Sequence, residues 1–264
     1  MRAKTSNNIP TPSRKPPAEI AAKSKNIIGC NELRDNNANI TALNLATASL
    51  NSYTASINAK TGLKGKWGNI YLERLTYYKP KNFLEIGVFC GVTARNTCDL
   101  LYKINGNNFT YTGIDLFGGD KSSSVNELEP KFLLNQKFSN PLKNIYYNLI
   151  LRENLNSIQS VQKLLGKYNN NTKLIAGDTN SVLKEIDLRN IDFVFLDGGH
   201  SYETVYSDLT NLYEHMKDKK KVILCDDYGK ESYIPEVEKA INDFRKKNNL
   251  QLNLIENRFA EIIT

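Results

Sequence analysis

The feature that most constrains the fold of this chain is a short segment, residues 82–91, with the sequence NFLEIGVFCG. It begins as an apolar run with β-branched members and ends at two glycines, Gly87 and Gly91. Such a run predicts a strand over residues 82–88, and the residues that follow predict a helix over 93–104. A strand, a glycine-containing turn and a helix in this order surround a ligand with backbone N–H groups and the positive end of a helix dipole.

One residue of this segment does not fit an apolar strand. Glu85 lies between Leu84 and Ile86. Burying a carboxylate is costly unless a partner compensates for its lost hydration. The sequence therefore predicts a cationic partner for Glu85.

The remainder of the chain alternates predicted strands with predicted helices. The further strands are expected at residues 110–115, 173–176, 191–196, 221–225, 250–256 and 259–263. The further helices are expected at residues 67–78, 155–168, 202–216 and 235–247. Asn257-Arg258 separates the last two strands and indicates a hairpin. The pattern predicts an α/β fold: a doubly wound, mostly parallel seven-stranded sheet with a helical insertion and an antiparallel C-terminal hairpin at its edge.

The chain is predicted to hold one folded domain and one tail. Residues 1–37 are polar and rich in proline and basic residues, which predicts a disordered basic tail. Residues 38–264 are predicted to form the domain, with a helical N-terminal part over 38–78. The connection between the second and third strands is far longer than one crossover requires. Residues 118–152 within it are interpreted as an insertion at the carboxyl ends of the strands, either a lid or a surface embellishment.

Charge and composition narrow the class of partner and the compartment. The net charge is +7, but the first 30 residues carry +5 of it, which leaves +2 for the rest of the chain. A nucleic-acid-binding groove in the folded domain is therefore not expected. The sequence has no apolar run near the ~20 residues that span a bilayer, and its four cysteines form no CxxC pair. These features predict a cytoplasmic protein with no membrane partner, and homo-oligomer formation remains open.

Acidic residues recur at the ends of the predicted strands. One lies within the first strand, and the others follow the next four strands: Glu85, Asp115, Asp178, Asp197 and the pair Asp226-Asp227. The carboxyl ends of parallel strands meet at one edge of a sheet, where ligands bind. Carboxylates crowded together raise one another's pKa unless cations lie among them. The series therefore predicts a site that holds positive charge.

The first of these strand-end acids indicates the kind of ligand. Asp115 lies 24 residues after Gly91, a spacing that suits an acid that binds ribose hydroxyls. The turn at Gly87 lacks the third glycine of a Gly-x-Gly-x-x-Gly motif, which allows a pyrophosphate to approach the backbone. A ligand with ribose and adenine but no phosphate fits better. S-adenosylmethionine is such a ligand, and its sulfonium and ammonium groups would be partners for Glu85.

Residues 67–264 resemble the class I S-adenosylmethionine-dependent methyltransferases. Within that class, residues 197–202 (DGGHSY), Asp208-Leu209 and residues 226–229 (DDYG) resemble the macrocin-type O-methyltransferases of macrolide sugars and related metal-dependent enzymes. Residues 113–119 (GIDLFGG) resemble their second-strand segment.

The resemblance implies a role for each candidate residue. The cofactor would be contacted along its methionine part by Glu85, Gly87, Phe89 and Gly91, at its ribose by Asp115 and at its adenine amine by Asp178. A divalent ion, Mg²⁺ or a similar cation, would be bound by Asp197, Asp226 and Asp227. The catalytic residues would be His200, as general base, and Asp197.

These observations predict an S-adenosylmethionine-dependent O-methyltransferase that acts on a hydroxyl of a sugar or another small molecule, with Mg²⁺ assistance. Methylation of RNA or protein is an alternative suggested by the basic tail. A nicotinamide-dependent oxidoreductase and a non-catalytic module that binds the cofactor are further alternatives. At single positions, His200 is alternatively a structural cap of the next helix, Asp226-Asp227 an exposed turn, and Asp208 is expected to face solvent.

Overall fold

The structure is a computed structural model, and it describes Leu63 and residues 65–118, 136–138, 140–217, 219–232 and 234–264. The predicted tail over 1–37, the remaining N-terminal residues before Leu63 and residues 119–135 of the predicted insertion lie outside these ranges. The predictions made for those segments are therefore not addressed by the structure.

Helices and strands alternate along the described chain. The helices are α1 (Lys66–Tyr78), α2 (Val92–Asn105), α3 (Pro141–Asn144), α4 (Ile158–Leu164), α5 (Thr179–Glu185), α6 (Tyr202–Met216) and α7 (Pro235–Lys247). The strands are β1 (Asn82–Ile86), β2 (Thr110–Asp115), β3 (Thr172–Ala176), β4 (Phe193–Leu196), β5 (Val222–Cys225), β6 (Leu252–Ile255) and β7 (Phe259–Ile263). A π-helical turn (Ile145–Ile150) and two 3₁₀ turns (Gly166–Tyr168 and Lys230–Ser232) complete the set.

The strands form one sheet in the order β3-β2-β1-β4-β5-β7-β6. The first five strands in this order, β3, β2, β1, β4 and β5, are parallel to one another. In contrast, β7 is antiparallel to β5, and β6 is antiparallel to β7. The predicted seven-stranded, mostly parallel sheet is confirmed. The second strand of the hairpin, β7, pairs directly with β5, so β6 is the outermost strand on that side.

Local capping explains the helix boundaries. Ser201 accepts a hydrogen bond from the backbone N–H of Thr204, which begins α6 at the predicted residue. Pro235 begins α7, again as predicted. The predicted helix over 155–168 is shorter, because Ser157 caps α4 and a 3₁₀ turn follows it. Short α5 was not predicted, and Asp178 caps it.

The core lies on both faces of the central strands. Every residue of β4 and β5 is buried. Phe83 stacks between Tyr111 of β2 and Phe193 of β4, with ring centroids 5.9 and 5.6 Å away. The expectation that Asp208 faces solvent is wrong, because it lies on the apolar face of α6 beside Leu209 and is fully buried.

The described part of the predicted insertion is helical and unusually apolar at its surface. Leu142, Leu149 and Ile150 are 74%, 69% and 66% exposed. Helix content in this segment was predicted and is confirmed over α3 and the π-helical turn. Its role as a lid remains a prediction. Within the described ranges, no helix combines the length and apolar character needed to cross a bilayer.

Candidate active site

The strand order reverses at β1, because its neighbours β2 and β4 lie on opposite sides of it. Open α/β sheets bind ligands outside the carboxyl ends of the strands at such a point. The backbones that leave the strands stay paired. Gly87 N donates to Ile114 O at 3.0 Å, and Asp197 N donates to Ile86 O at 2.9 Å.

Packing alone requires the glycines of the turn after β1, apart from any role that they have in binding a ligand. Gly87 has φ of +89°, and a Cβ atom added to it would lie 1.9 Å from the backbone oxygen of Asp197. Gly91 precedes α2 with φ of +76°, and a Cβ there would lie 2.8 Å from the Val161 side chain. Only glycine allows this turn to pack against the end of β4 and against α4.

Asp115 connects this turn to the end of β2. Its Oδ2 accepts a hydrogen bond from Phe89 N at 2.8 Å, and its Oδ1 accepts one from Phe117 N at 2.7 Å. Phe89 and Phe117 both have positive φ, 53° and 46°. Asp115 is thus held in a fixed orientation between the turn and the end of β2.

Glu85 is buried in the protein interior with no exposed surface. Its Oε2 accepts a hydrogen bond from Tyr111 Oη at 2.6 Å. Its Oε1 is buried and has no hydrogen-bond partner among the described residues. Burial raises the pKa of Glu85 from 4.5 to about 8, although the Tyr111 hydrogen bond opposes that shift. No described side chain thus supplies the expected cation, and the raised pKa favours the neutral form of Glu85 at pH 7 in the cofactor-free protein.

Asp178 lies at the end of β3, as predicted, and caps α5. Its Oδ1 accepts hydrogen bonds from the backbone N–H of Asn180 at 3.0 Å and from the Asn180 side chain at 3.2 Å. The local reason for an acid at this position is therefore helix capping. Contact of Asp178 with an adenine amine remains a prediction.

The strand ends of β4 and β5 bring Asp197, His200, Asp226 and Asp227 to the walls of one small pocket. His200 Nε2 lies 3.1 Å from Asp227 Oδ2, and their side chains are 22% and 15% exposed. Burial, and then the charges of Asp226 and Asp227, raise the pKa of Asp197 well above its ordinary value. Because Ser201 caps α6, His200 is not needed as the cap of that helix.

Asp226 is bound by an arginine that the sequence did not single out. Arg258 donates from Nε to Asp226 Oδ1 at 2.7 Å and from Nη2 to Asp226 Oδ2 at 2.6 Å. Both side chains are almost completely buried, and Arg258 Nη2 is 4.0 Å from Asp227 Oδ1. Burial raises the pKa of Asp226, while the Arg258 hydrogen bonds act in the opposite direction. The exposed-turn alternative for Asp226 is therefore wrong.

The β6–β7 connection fixes Arg258 in this position. Glu256 and Asn257 have positive φ, 51° and 57°, which produces a tight turn. The backbone oxygen of Arg258 accepts hydrogen bonds from Tyr228 N and Gly229 N, both at 3.1 Å. A Cβ at Gly229 would lie 1.9 Å from the backbone oxygen of Asn257. The hairpin is thus locked against the segment that follows Asp226-Asp227.

A profile of the family described as "Methyltransferase domain" matches residues 84–228, more than half of the chain. The chain belongs to this methyltransferase family. The matched segment runs from β1 through Asp226-Asp227, so it includes every candidate residue named above except Arg258. No curated protein matches the sequence.

Several solved structures share the fold of this protein. The O-methyltransferase NovP superposes with a TM-score of 0.52 at 18% identity, over 78% of this chain and 82% of NovP. The calicheamicin methyltransferase CalS11 gives 0.52 at 15% identity, over 83% and 91%. Cofactor-bound Rv0187 from MTB gives 0.51 at 12% identity, over 96% and 98%. At these identities the likeness establishes the fold alone, and the predicted Rossmann-like methyltransferase fold is confirmed.

The candidate site contains two residues that were not predicted from the sequence. Tyr111 donates to Glu85, and Arg258 binds Asp226. The β5–β7 register pairs Cys225 with Ala260, which places residue 258 opposite residue 227. Arg258 could therefore be predicted from the sequence only if the pairing of β7 with β5 was already known.

Proposed function

We propose that this methyltransferase transfers a methyl group from S-adenosylmethionine to a hydroxyl group of a sugar or another small molecule. The single observation that carries the proposal is a juxtaposition. The turn and acid suited to a nucleoside cofactor, Gly87 to Gly91 with Asp115, lie one strand away from a histidine–carboxylate pair, His200 and Asp227. The family match and the O-methyltransferase NovP support the same chemistry.

The cofactor part of the proposal rests on three groups. Asp115 is the proposed contact of the ribose hydroxyls, and its orientation is fixed by Phe89 N and Phe117 N. Glu85 Oε1 is a buried oxygen that an ammonium donor would satisfy. Asp178 is retained as the proposed contact of the adenine amine, and Gly91 as a backbone contact.

The chemical part of the proposal assigns proton transfer to His200. Methyl transfer breaks the sulfur–carbon bond of the sulfonium and forms a carbon–oxygen bond to the acceptor, and the hydroxyl proton must leave. In the tautomer in which His200 Nε2–H donates to Asp227, Nδ1 is the ring nitrogen that would take this proton. Asp227 then stabilises the imidazolium that forms. Asp197 lines the same pocket and shapes its charge.

The residues do not fit the predicted Mg²⁺ site in the arrangement observed. Mg²⁺ requires carboxylate oxygens at roughly 2.0–2.1 Å in octahedral geometry. Both oxygens of Asp226 accept hydrogen bonds from Arg258, and Oδ1 accepts a further one from Asp227 N. No group of three or more His, Cys, Asp or Glu side chains within the described ranges is arranged to hold a metal ion. We therefore derive no step through a metal ion.

Calorimetry and methyl-transfer assays test the two parts separately. Wild type should bind S-adenosylhomocysteine and not NAD. Asp115→Asn should weaken that binding by about 10- to 100-fold, because a hydrogen bond involving a charged acceptor is worth about 1.5–3 kcal/mol. His200→Gln should bind S-adenosylhomocysteine normally but transfer labelled methyl groups about 10²- to 10⁴-fold more slowly.

The acceptor panel should contain nucleotide-linked sugars, glycosides, catechols, RNA and peptides. Methyl transfer to RNA alone, lost on deletion of residues 1–37, would replace the proposal with the nucleic-acid alternative. Binding of S-adenosylhomocysteine without transfer to any acceptor would favour a non-catalytic module. Tight binding of NAD would refute the choice of cofactor.

A further inference from the structure

We propose that Arg258 is the resident cation of the carboxylate cluster formed by Asp197, Asp226 and Asp227, so that this site functions without a divalent metal ion. The proposal rests on the proposed function for the meaning of the site, but its test requires no turnover. Arg258 is here a positioning residue, since it acts on a hydroxyl acceptor only through the carboxylates it binds.

The contact between Arg258 and Asp226 is bidentate and buried. Two parallel N–H···O hydrogen bonds, 2.7 and 2.6 Å long, join the guanidinium plane to the carboxylate plane. The Asp226 side chain is 1% exposed and the Arg258 side chain 9%. A metal ion that took an oxygen of Asp226 would leave a buried guanidinium with fewer partners. Unpaired buried charges are strongly disfavoured, so the ion and Arg258 compete for the same carboxylate.

Arg258 is also held from its other sides. The Trp67 and Phe259 rings lie with their centroids 5.5 Å from the guanidinium carbon, within the range of cation–π interaction. The backbone oxygen of Arg258 accepts two hydrogen bonds from the segment after Asp227. Displacing the side chain therefore breaks contacts to α1 and β7 as well as those to Asp226.

Arg258 affects the proposed base, His200, through the residue that lies between them, Asp227. Its Nη2 is 4.0 Å from Asp227 Oδ1, and the other oxygen of Asp227 is 3.1 Å from His200 Nε2. Asp227 thus lies between Arg258 and His200. A fixed guanidinium orients Asp227 toward His200, which is the positioning that a metal ion would otherwise provide.

Mn²⁺ binding followed by electron paramagnetic resonance tests the proposal without an acceptor. The full-length protein is stripped with EDTA and titrated with Mn²⁺, since the signal of the free ion reports the unbound fraction. Wild type should show no saturable site that depends on Asp226. Arg258→Met keeps an apolar stem but removes the charge, and it should gain one saturable Mn²⁺ site that wild type lacks.

Two controls make the result specific. Arg258→Met combined with Asp226→Asn should lose the gained Mn²⁺ site, because the released ligand is then absent. S-adenosylhomocysteine binding, measured in parallel with and without EDTA, should be equal in wild type. A complete lack of binding under both conditions would count against the proposed function and not against the role of Arg258. If Arg258→Met does not fold, Arg258→Gln serves the same comparison.

Two results would overturn the proposal. One is saturable Mn²⁺ binding by wild type that Asp226→Asn abolishes, since the ion would then displace Arg258. The other is a folded Arg258 variant that gains no Mn²⁺ site. Titration of wild type and of Asp226→Asn together decides the first of these.

Discussion

Glu85→Gln is expected to stabilise the folded protein at neutral pH while leaving its stability almost unchanged at pH 5. Burial raises the pKa of Glu85 from 4.5 to about 8 in the folded, cofactor-free protein. Between these values the unfolded chain has released a proton that the folded chain still holds. Raising the pH therefore favours unfolding of the wild type, and this effect ends once the pH exceeds the folded pKa.

The magnitude follows from the width of that pH window. Each pH unit between the two pKa values lowers the free energy of unfolding by about 1.4 kcal/mol, which amounts to about 3 kcal/mol from pH 5 to pH 7.5. Glutamine has no proton to exchange there. Its amide oxygen can still accept the hydrogen bond from Tyr111 Oη, which is 2.6 Å long in the wild type. The difference in unfolding free energy should therefore shift by about 3 kcal/mol in favour of the variant between pH 5 and pH 7.5.

Urea unfolding of both proteins at several values between pH 5 and pH 8 measures the effect. All other titrating groups are common to the two proteins, so their contributions cancel in the difference of unfolding free energies. A difference that stays flat, or that increasingly favours wild type as the pH rises, would refute the reasoning. It would show that the Glu85 carboxylate is charged in the fold.

The same pair of proteins tests the predicted cofactor contact. An ammonium group beside Glu85 favours its charged form. Binding of S-adenosylhomocysteine at pH 7 should then release a proton, which calorimetry in two buffers with different ionisation enthalpies detects. Glu85→Gln should abolish that release. Equal proton release from both proteins would place the ammonium group elsewhere.

Two stability predictions concern other parts of the fold. Gly87→Ala should destabilise by about 3–5 kcal/mol, because its Cβ would lie 1.9 Å from a backbone oxygen. Gly106→Ala has a positive φ but open space around its Cβ, so it should cost only about 1–2 kcal/mol; equal unfolding midpoints for the two variants would contradict the clash. Arg74→Met should cost about 3–5 kcal/mol, because it leaves Glu261, 1% exposed, as an uncompensated buried carboxylate. Arg189→Met, at an exposed ion pair, should leave the unfolding midpoint unchanged, and thermal denaturation of both arginine variants checks the contrast.

Local signals determined the parts of the fold that were predicted to the residue. The bounds of α6 and α7 were correct because Ser201 and Pro235 mark helix starts through contacts made within a few residues. The strand over residues 110–115 was also correct. In contrast, short α5 contains too few residues to show a helical period, so its cap, Asp178, was read only as a strand-end acid.

The acidic residues of the candidate site could be predicted from the sequence, but the basic side chain that balances their charge could not. Parallel strands bring their carboxyl ends to one edge whatever the strand order, which is why Asp197, Asp226 and Asp227 could be grouped. Arg258 reaches Asp226 only because β7 pairs with β5, and that pairing depends on long-range sheet assembly. The sequence predicted that positive charge is needed here. It assigned that charge to a metal ion, whereas the structure places a side chain beside the acids.

The late position of β7 along the chain has a consequence for synthesis. Arg258 follows Asp226 by 32 residues, which at translation rates of about 5–20 residues per second is a delay of roughly two to six seconds. During that interval the edge of β5 that pairs with β7 is open, although all four of its residues are buried in the finished fold. An apolar strand with an open edge is a template for pairing with another chain. Until its own hairpin closes that edge, the growing polypeptide can therefore pair through β5 with another chain.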